Sequence, residues 1–426
     1  MGRYNRVIVL VGMLVFPTLL FAQFNNNTSS PYSRFGLGDL QPYGFGRSVA
    51  MGGASLASRS HQQINLSNPA SYTAIDSLTF MFEFGIDSKY SKFSNEIGSA
   101  SSVDANFQYM AMKFQINDWM ATSFGLLPFS DIGYAIETRE EIDNVGEVLT
   151  KYFGAGTVSN AYFGLAIEPL KNLSIGANLN YLFGKLNKNA EVYFLDAADF
   201  YGVQKYADFR LSDFGLDFGV QYTLPLKNKR HIIFAAVLEN KPSYTSLFSD
   251  ITQKNLSYNK TVDRDTLHFS EEQKGAINMP LTYGGGISYV KENVLEVNVD
   301  YFHQSWSNST FFGEKPLNLT DLNKFAVGAE WIPNKYSIRS YTSKIAFRAG
   351  FKYEETYLLF GDHHINDFGI SFGVGLPINR SNSTVNIAAE FGRRGTMDDG
   401  LILEKYARLN LSLNLYDLWF MKRKFD

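Results

Sequence analysis

Leu409, Leu411, Leu413 and Leu415 alternate with Arg408, Asn410, Ser412 and Asn414, and this period of two recurs along the chain. Phe214, Leu216, Phe218, Val220 and Tyr222 alternate with Asp213, Gly215, Asp217, Gly219 and Gln221. Leu295, Val297, Val299 and Tyr301 are spaced in the same way, as are Ile345, Phe347, Ala349 and Phe351. A strand points successive side chains to opposite faces, so each segment has one apolar face and one polar or small face. Apolar spacing at three and four residues, expected of a soluble helical enzyme of this length, is scarce. The fold class is all-β.

Two features separate a membrane barrel from a soluble sandwich. The strands look about ten residues long, which suits a tilted crossing of a bilayer. Aromatics such as Tyr301, Trp331 and Tyr353 stand near strand ends, where interface girdles sit. Short connections near residues 117–118, 168–172, 225–230, 291–293, 333–342 and 377–383 alternate with longer polar links. Those links cover residues 89–103, 137–156, 186–206, 240–279 and 304–321, and Asp399-Gly400 marks the last outer turn. Short turns on one side and long loops on the other are the sidedness of outer-membrane barrels. The expected architecture is a transmembrane antiparallel β-barrel of about 14 strands, an even number, over residues 78–416, with a short periplasmic tail over 417–426.

The N-terminus agrees with that location. Arg3 and Arg6 precede an apolar run over residues 7–20, and Phe21-Ala22 leads into a polar stretch. This layout predicts a signal peptide over 1–22, cleaved after Ala22. The predicted localisation is the outer membrane of a Gram-negative type of cell. There is no cysteine, which excludes disulfides and thiolate metal sites. A net charge of −3 gives no field for nucleic acid, and no cofactor is expected.

Residues 23–77 do not alternate. They are rich in Gly, Ser, Asn and Pro, yet carry Phe35, Leu37, Val49, Met51, Leu56 and Ile64, too apolar for a solvated tail. A barrel of about fourteen strands leaves a lumen that wall side chains alone cannot fill. Small residues predicted to face inward (Gly164, Gly176, Gly284, Gly286, Gly369 and Gly373) leave room for backbone to approach. The segment is expected to be a plug, or hatch. By parity Glu83, Asp87, Lys113, Asp213, Asp217, Glu296, Asp300, Glu330, Arg348, Lys352, Glu390 and Arg408 also face inward, as wall-to-hatch pairs.

Gly46-Arg47, Met51-Gly52-Gly53-Ala54 and Asn68-Pro69-Ala70, ahead of a long barrel, resemble the hatch of the FadL/TodX-type outer-membrane transporter family. The stretch from Ser30 to Asp39 resembles its Bacteroidota branch. The resemblance implies a plugged fourteen-stranded barrel that takes up hydrophobic small molecules, similar to long-chain fatty acids, and releases them through a kinked third strand. Pro128, beside Phe129 in the third predicted strand, matches that kink in position; a proline cannot donate to the ladder. Ile233 and Val237 face inward if Ile232, Phe234, Ala236 and Leu238 face lipid, and they join Pro128 and Phe129 as ligand-path candidates. Contact with the hatch is the other reading of that strand.

The remaining motifs carry no chemistry. Gly369-Ile370-Ser371-Phe372-Gly373 fits the nucleophile pattern G-x-S-x-G but sits in a plain alternating strand, not at a strand-to-helix elbow. His363-His364 lies in an expected outer loop, and no histidine pair has helical zinc spacing. No catalytic or metal site is expected. The function predicted is passive uptake of an apolar ligand by a barrel in contact with outer-membrane lipid. The alternative is an accessory or interaction subunit of an outer-membrane protein assembly or secretion complex, with other outer-membrane or periplasmic proteins as partners. A continuous apolar lumen would favour the first, a lumen filled with charged and aromatic side chains the second.

Overall fold

The alternating segments become strands whose apolar faces look outward and whose polar and small faces look into a lumen. The computed structural model describes residues 27–418 apart from 42–43, 197–199, 241, 256–263 and 379–380. The expected signal peptide, the first hatch residues 23–26 and residues 419–426 of the tail lie outside the described residues.

Among the described residues there are eighteen strands. They are β1 (Asp39–Leu40), β2 (Thr79–Ser94), β3 (Ser99–Asn117), β4 (Met120–Ile142), β5 (Gly146–Leu170) and β6 (Leu173–Phe194). Next come β7 (Gly202–Leu226), β8 (Arg230–Glu239), β9 (Ser243–Asn255), β10 (Arg264–Asn278), β11 (Thr282–Lys291) and β12 (Leu295–Gln304). The last are β13 (Thr310–Phe311), β14 (Leu322–Trp331), β15 (Ala346–Phe360), β16 (His363–Pro377), β17 (Thr384–Arg394) and β18 (Leu403–Leu418). Fourteen close an antiparallel ring, sealed where β18 pairs with β2. The other four, β1, β9, β10 and β13, lie outside it. Each wall strand pairs with both of its neighbours, as a lipid solvent demands, although β3 and β4 pair over only part of their lengths.

The parity read from the sequence holds. Phe214, Leu216 and Phe218 are exposed on the outer face, as are Leu409, Leu411 and Leu415. Glu83, Lys113, Glu296, Asp300, Arg348 and Glu390 are buried inside. Tyr301 and Trp331 stand about half exposed in the outer aromatic set.

The outer connections differ from expectation. Most of the stretches read as long polar links are strand. β5 and β7 each run 25 residues, roughly 80 Å at about 3.3 Å per residue, far more than the roughly ten residues a crossing needs. The β2–β3 link shrinks to residues 95–98 and the β4–β5 link to 143–145. Beyond the bilayer both faces of a strand meet water or protein, so alternation fades while pairing continues.

Between β8 and β11 the chain leaves the ring to form β9 and β10. The outer half of β7 pairs with β9, and its inner half pairs with β8. β10 pairs with β9 and with β13, giving a small sheet on the side of the long connections.

Candidate functional site

The lumen is occupied by the hatch, and glycine is what lets it in. A Cβ on Gly350 would strike Met51 and the Gly52 nitrogen, and one on Gly328 would strike Met51. Gly373 faces Ala50, Gly176 faces Pro69 and Ala70, Gly164 faces Tyr72, and Gly284 and Gly286 face Leu56. Of the six glycines read as room for the hatch, Gly369 alone faces only wall side chains, those of Glu390, Lys352 and Tyr406.

The Asn68-Pro69-Ala70 motif is a fastened turn. Asn68 is fully buried and caps the turn Pro69–Thr73, its side-chain oxygen accepting from the Ala70 N–H at 3.0 Å. Its amide donates to the Leu56 carbonyl at 3.1 Å and to the Val220 carbonyl on β7 at 3.3 Å. Pro69 takes the first turn position, where its missing N–H costs nothing. Tyr72 donates to Asn178 of β6 at 3.0 Å.

Arg47, in the short helix Gly46–Val49, anchors the other side. It meets Glu296 of β12 at 2.5 Å and grips Glu330 of β14 through two nitrogens at 3.0 and 2.9 Å. Arg348 of β15 shares Glu330 at 2.6 Å. Burial disfavours the Arg47 cation, but Glu296 and Glu330 outweigh it and hold the guanidinium above its ordinary value. Around this anchor, Asp300 accepts from the Ser55 and Leu56 N–H groups at 2.5 and 2.8 Å. Ser371 accepts from the Gly52 N–H at 2.8 Å, so the serine of the G-x-S-x-G stretch holds the hatch from within a plain strand. Lys113 donates to the carbonyls of Gln63 and Ala74 at 2.8 and 2.9 Å.

Three layers stack along the lumen. Toward the long connections lies an apolar cluster that includes Trp306, Tyr357, Ile132, Leu211 and Leu358, with Tyr32 and Leu37 of the hatch. Toward the short turns Phe45, Ile64, Leu66 and Tyr72 pack on Met81, Tyr109 and Tyr162. Between them is a cavity of about 160 Å³ whose lining includes Asp39, Asp87, Lys89, Asp217, Glu239, Lys352, Asp367, Arg394 and Arg408. Most of these charges are paired. Arg394 meets Asp39 at 2.6 Å, Lys352 meets Glu390 at 2.7 Å and Asp367 at 3.4 Å, and Lys89 meets Glu404 at 2.6 Å.

The ligand-path candidates fall in three different places. Val237 and Phe129 line the cavity. Ile233 is buried on the lumen face but is not among the lining residues. Pro128 borders a separate small pocket with Phe45, Tyr109 and Leu127. β4 is the third strand of the ring, and Pro128 sits at its irregularity, where the register with β5 shifts between Pro128 and Ser130. Pairing between β3 and β4 stops at Met110 and Leu126. Past that point β1 of the hatch pairs with β4 at Ser130 and Asp131. Asn27 bridges the break and Ser29 fastens to its β3 side: Asn106 of β3 donates to the Asn27 carbonyl at 2.6 Å, and Asn27 donates to Asp131 of β4 at 2.9 Å. Ser29 donates to Asp104 at 2.6 Å.

The Arg47 anchor and the Asp39–Arg394 pair are the features that sequence reading missed as contacts. Their partners lie 249 to 355 residues apart, a separation that no local pattern encodes. His363, opening β16, meets Asp399 at 2.6 Å, and among the described residues no group of three or more His, Cys, Asp or Glu gathers for a metal.

A family model, BamG, matches residues 5–426. Among curated proteins none matches the chain. Among solved structures, the P. putida toluene transporter TodX is 16% identical over 90% of this chain and 100% of its own, with a TM-score of 0.58. A Pseudomonas aeruginosa FadL homologue is 12% identical over 89% and 99%, with a TM-score of 0.57. CymD, a monoaromatic hydrocarbon channel, is 14% identical over 88% and 97%, with a TM-score of 0.56. At such identities the likeness speaks for the fold, a FadL-like barrel of the outer-membrane type.

Proposed function

The chain belongs to the BamG family, and from that premise we propose that it is a barrel-shaped interaction subunit of an outer-membrane protein-assembly complex. The observation that carries this reading is the filled lumen. Paired charges such as Asp39–Arg394, Lys89–Glu404 and Lys352–Glu390 stand about the cavity midway along the lumen, and apolar clusters that include hatch residues pack the lumen on either side of it. The hatch is held by buried ionic and backbone contacts rather than by a loose fit. The family name agrees with the second of the two functions expected from the sequence.

A docking surface is at hand outside the ring. β10 exposes Leu267 and Phe269 at 57 and 58% on the sheet that stands beyond the wall. Apolar side chains there are packed against no core, and exposed apolar groups of this kind suit a protein partner.

One observation favours the other expectation, passive uptake of an apolar small molecule with lateral release. It is the interrupted pairing between β3 and β4 beside Pro128, with hatch residues standing in the break. A mild-detergent pull-down of the tagged protein from its native outer membrane separates the two. Stoichiometric recovery of other outer-membrane or periplasmic proteins, without bound ligand, is the expected result. A lone barrel carrying fatty acid or another apolar ligand would replace the assembly reading with uptake.

A further inference from the structure

Among the described residues, Asp217 and Glu239 are lumen acids without a salt bridge, as Glu83, Asp131 and Asp300 are, but those three accept hydrogen bonds from hatch donors. Asp39, Asp87, Glu296, Glu330, Glu390 and Glu404 each meet an arginine or lysine. Asp217 of β7 and Glu239 at the end of β8 stand directly opposite each other in the ladder, with both side chains turned inward. Neither makes a salt bridge among the described residues. Two buried carboxylates side by side repel and are poorly solvated unless a counter-charge sits with them.

The groups around them include oxygen donors beside the apolar Phe129, Leu182, Leu216 and Met279. A pocket of about 30 Å³ is lined by Asp217, Glu239, Asn160, Thr282, Gln304 and Tyr244, among others. Asn180 of β6 donates its amide to Asp217, and Asn160 of β5 donates its amide to the Asn180 oxygen at 3.2 Å. That relay fixes the orientation of both amides. It leaves the Asn160 Oδ1, on a residue only 4% exposed, without a hydrogen-bond partner in the same pocket as the two carboxylates.

We propose that Asp217, Glu239 and the Asn160 Oδ1 form a binding site for one hard divalent cation of the calcium class. Carboxylate and amide oxygens are ligands for a hard ion, and neither thiolate nor imidazole lines the pocket. An irregular set of three protein donors completed by water suits calcium better than magnesium, which demands near-ideal octahedral geometry. The pocket has room for an ion with a water molecule. Its place in the fold gives the ion a task. β7 changes partner here, from β8 over residues 217–226 to β9 over residues 202–211. Glu239 is the last ring residue before the chain departs for β9. A cation would tie β5, β7 and β8 together at the base of the outer sheet and stiffen it. This inference stands apart from the assembly reading and holds or fails without it.

The test is calorimetric titration of calcium chloride into the full-length barrel, purified in detergent and stripped with chelator. The expected result is uptake of one ion per chain, accompanied by a higher thermal midpoint. The near-isosteric variant D217N/E239Q lowers the affinity at least about tenfold, since affinity follows ligand charge. N160A, which removes a neutral donor and leaves the charges in place, weakens uptake as well, and this keeps the test readable if the double variant folds poorly. Lys241, two residues past Glu239, lies outside the described residues, and K241Q is expected to leave calcium uptake unchanged. Absence of uptake by the wild-type chain overturns the site, because the acids then share a proton. Uptake unchanged in D217N/E239Q overturns it too, because the ion then sits elsewhere. Loss of uptake in K241Q assigns that lysine to the same network and overturns a site built from these three donors.

Discussion

Arg47 of the hatch grips Glu330 of the wall through two parallel hydrogen bonds of 3.0 and 2.9 Å, while a third contact of 2.5 Å reaches Glu296. With Arg348 on the other side of Glu330, two cations and two anions balance inside the barrel. Removing Arg47 alone leaves Glu296 buried without its cation. R47M is expected to destabilise the docked hatch by about 3–5 kcal/mol, read as faster protease cleavage within residues 27–77 of the detergent-solubilised protein. R47M/E296Q removes one charge of each sign and keeps the Arg348–Glu330 pair, so it should recover a large part of that loss. If the double variant is no better than R47M, the cost lies in lost packing and not in unbalanced charge.

Glycine at position 350 is required by the hatch and not by the strand. Its backbone φ is ordinary for a strand, yet a Cβ there would meet the Met51 backbone, which has no free end to swing away. G350A should cost at least about 1–3 kcal/mol through overpacking and loosen the hatch. Gly285 serves as the control, because a Cβ there meets only the Ala235 carbonyl at 3.7 Å. G285A should leave both the heat-denaturation midpoint and hatch protection unchanged. Equal behaviour of the two variants would detach the glycine pattern from the plug.

Asn68 combines a cap with two donations. N68A loses the acceptor for the Ala70 N–H and both donations, to Leu56 and to Val220. The cap alone is worth about 1 kcal/mol, and the two lost donations, one of them to a Leu56 carbonyl that keeps the Gln221 amide at 2.9 Å, bring the expected loss to about 2 kcal/mol. N68S keeps a hydroxyl acceptor for the cap and should recover only the cap portion. Denaturant unfolding of the three proteins, followed by hatch cleavage, distinguishes these values. An N68S midpoint equal to wild type would mean that the link to β7 contributes nothing.

How much of this was legible depended on which solvent each residue meets. Lipid selects an apolar side chain at every second position, so Leu409 to Leu415 and Phe214 to Tyr222 announced their faces. The ring of fourteen and the inward glycines followed from that parity. The four extra strands did not: β1 and β13 are two residues each, too short to show a period, and β9 and β10 lie outside the ring, where no lipid enforces alternation. Pro128 marked the irregular place on the third ring strand, since proline breaks a ladder in any context. That Asn27 bridges the break beside it and Ser29 fastens to its β3 side could not be read, because the contacts with Asp131 and Asp104 span 104 and 75 residues. Asp217 and Glu239 were both assignable to the lumen side of their strands, but their facing each other depends on the register of β7 against β8, which only the folded ring fixes.

The outer sheet offers the clearest test of the assembly reading. Leu267 and Phe269 lie close together on β10, Leu267 as the extra residue of a bulge in the pairing with β9, and both are exposed. They take no part in the ring, whose closure runs from β8 directly to β11. L267K/F269K therefore removes apolar surface without touching a wall strand or the hatch, and surface changes of this kind usually shift stability by less than about 0.5 kcal/mol. The variant should reach the outer membrane at the wild-type level and keep its resistance to heat in detergent. Recovery of partner proteins in the pull-down should fall at least about tenfold, the loss of about 1.4 kcal/mol or more that two apolar side chains at the centre of an interface can supply. Undiminished recovery would move the docking surface elsewhere on the barrel. The short-turn side, where Tyr336 and Ile338 stand 73 and 97% exposed between β14 and β15, would then be the next surface to alter.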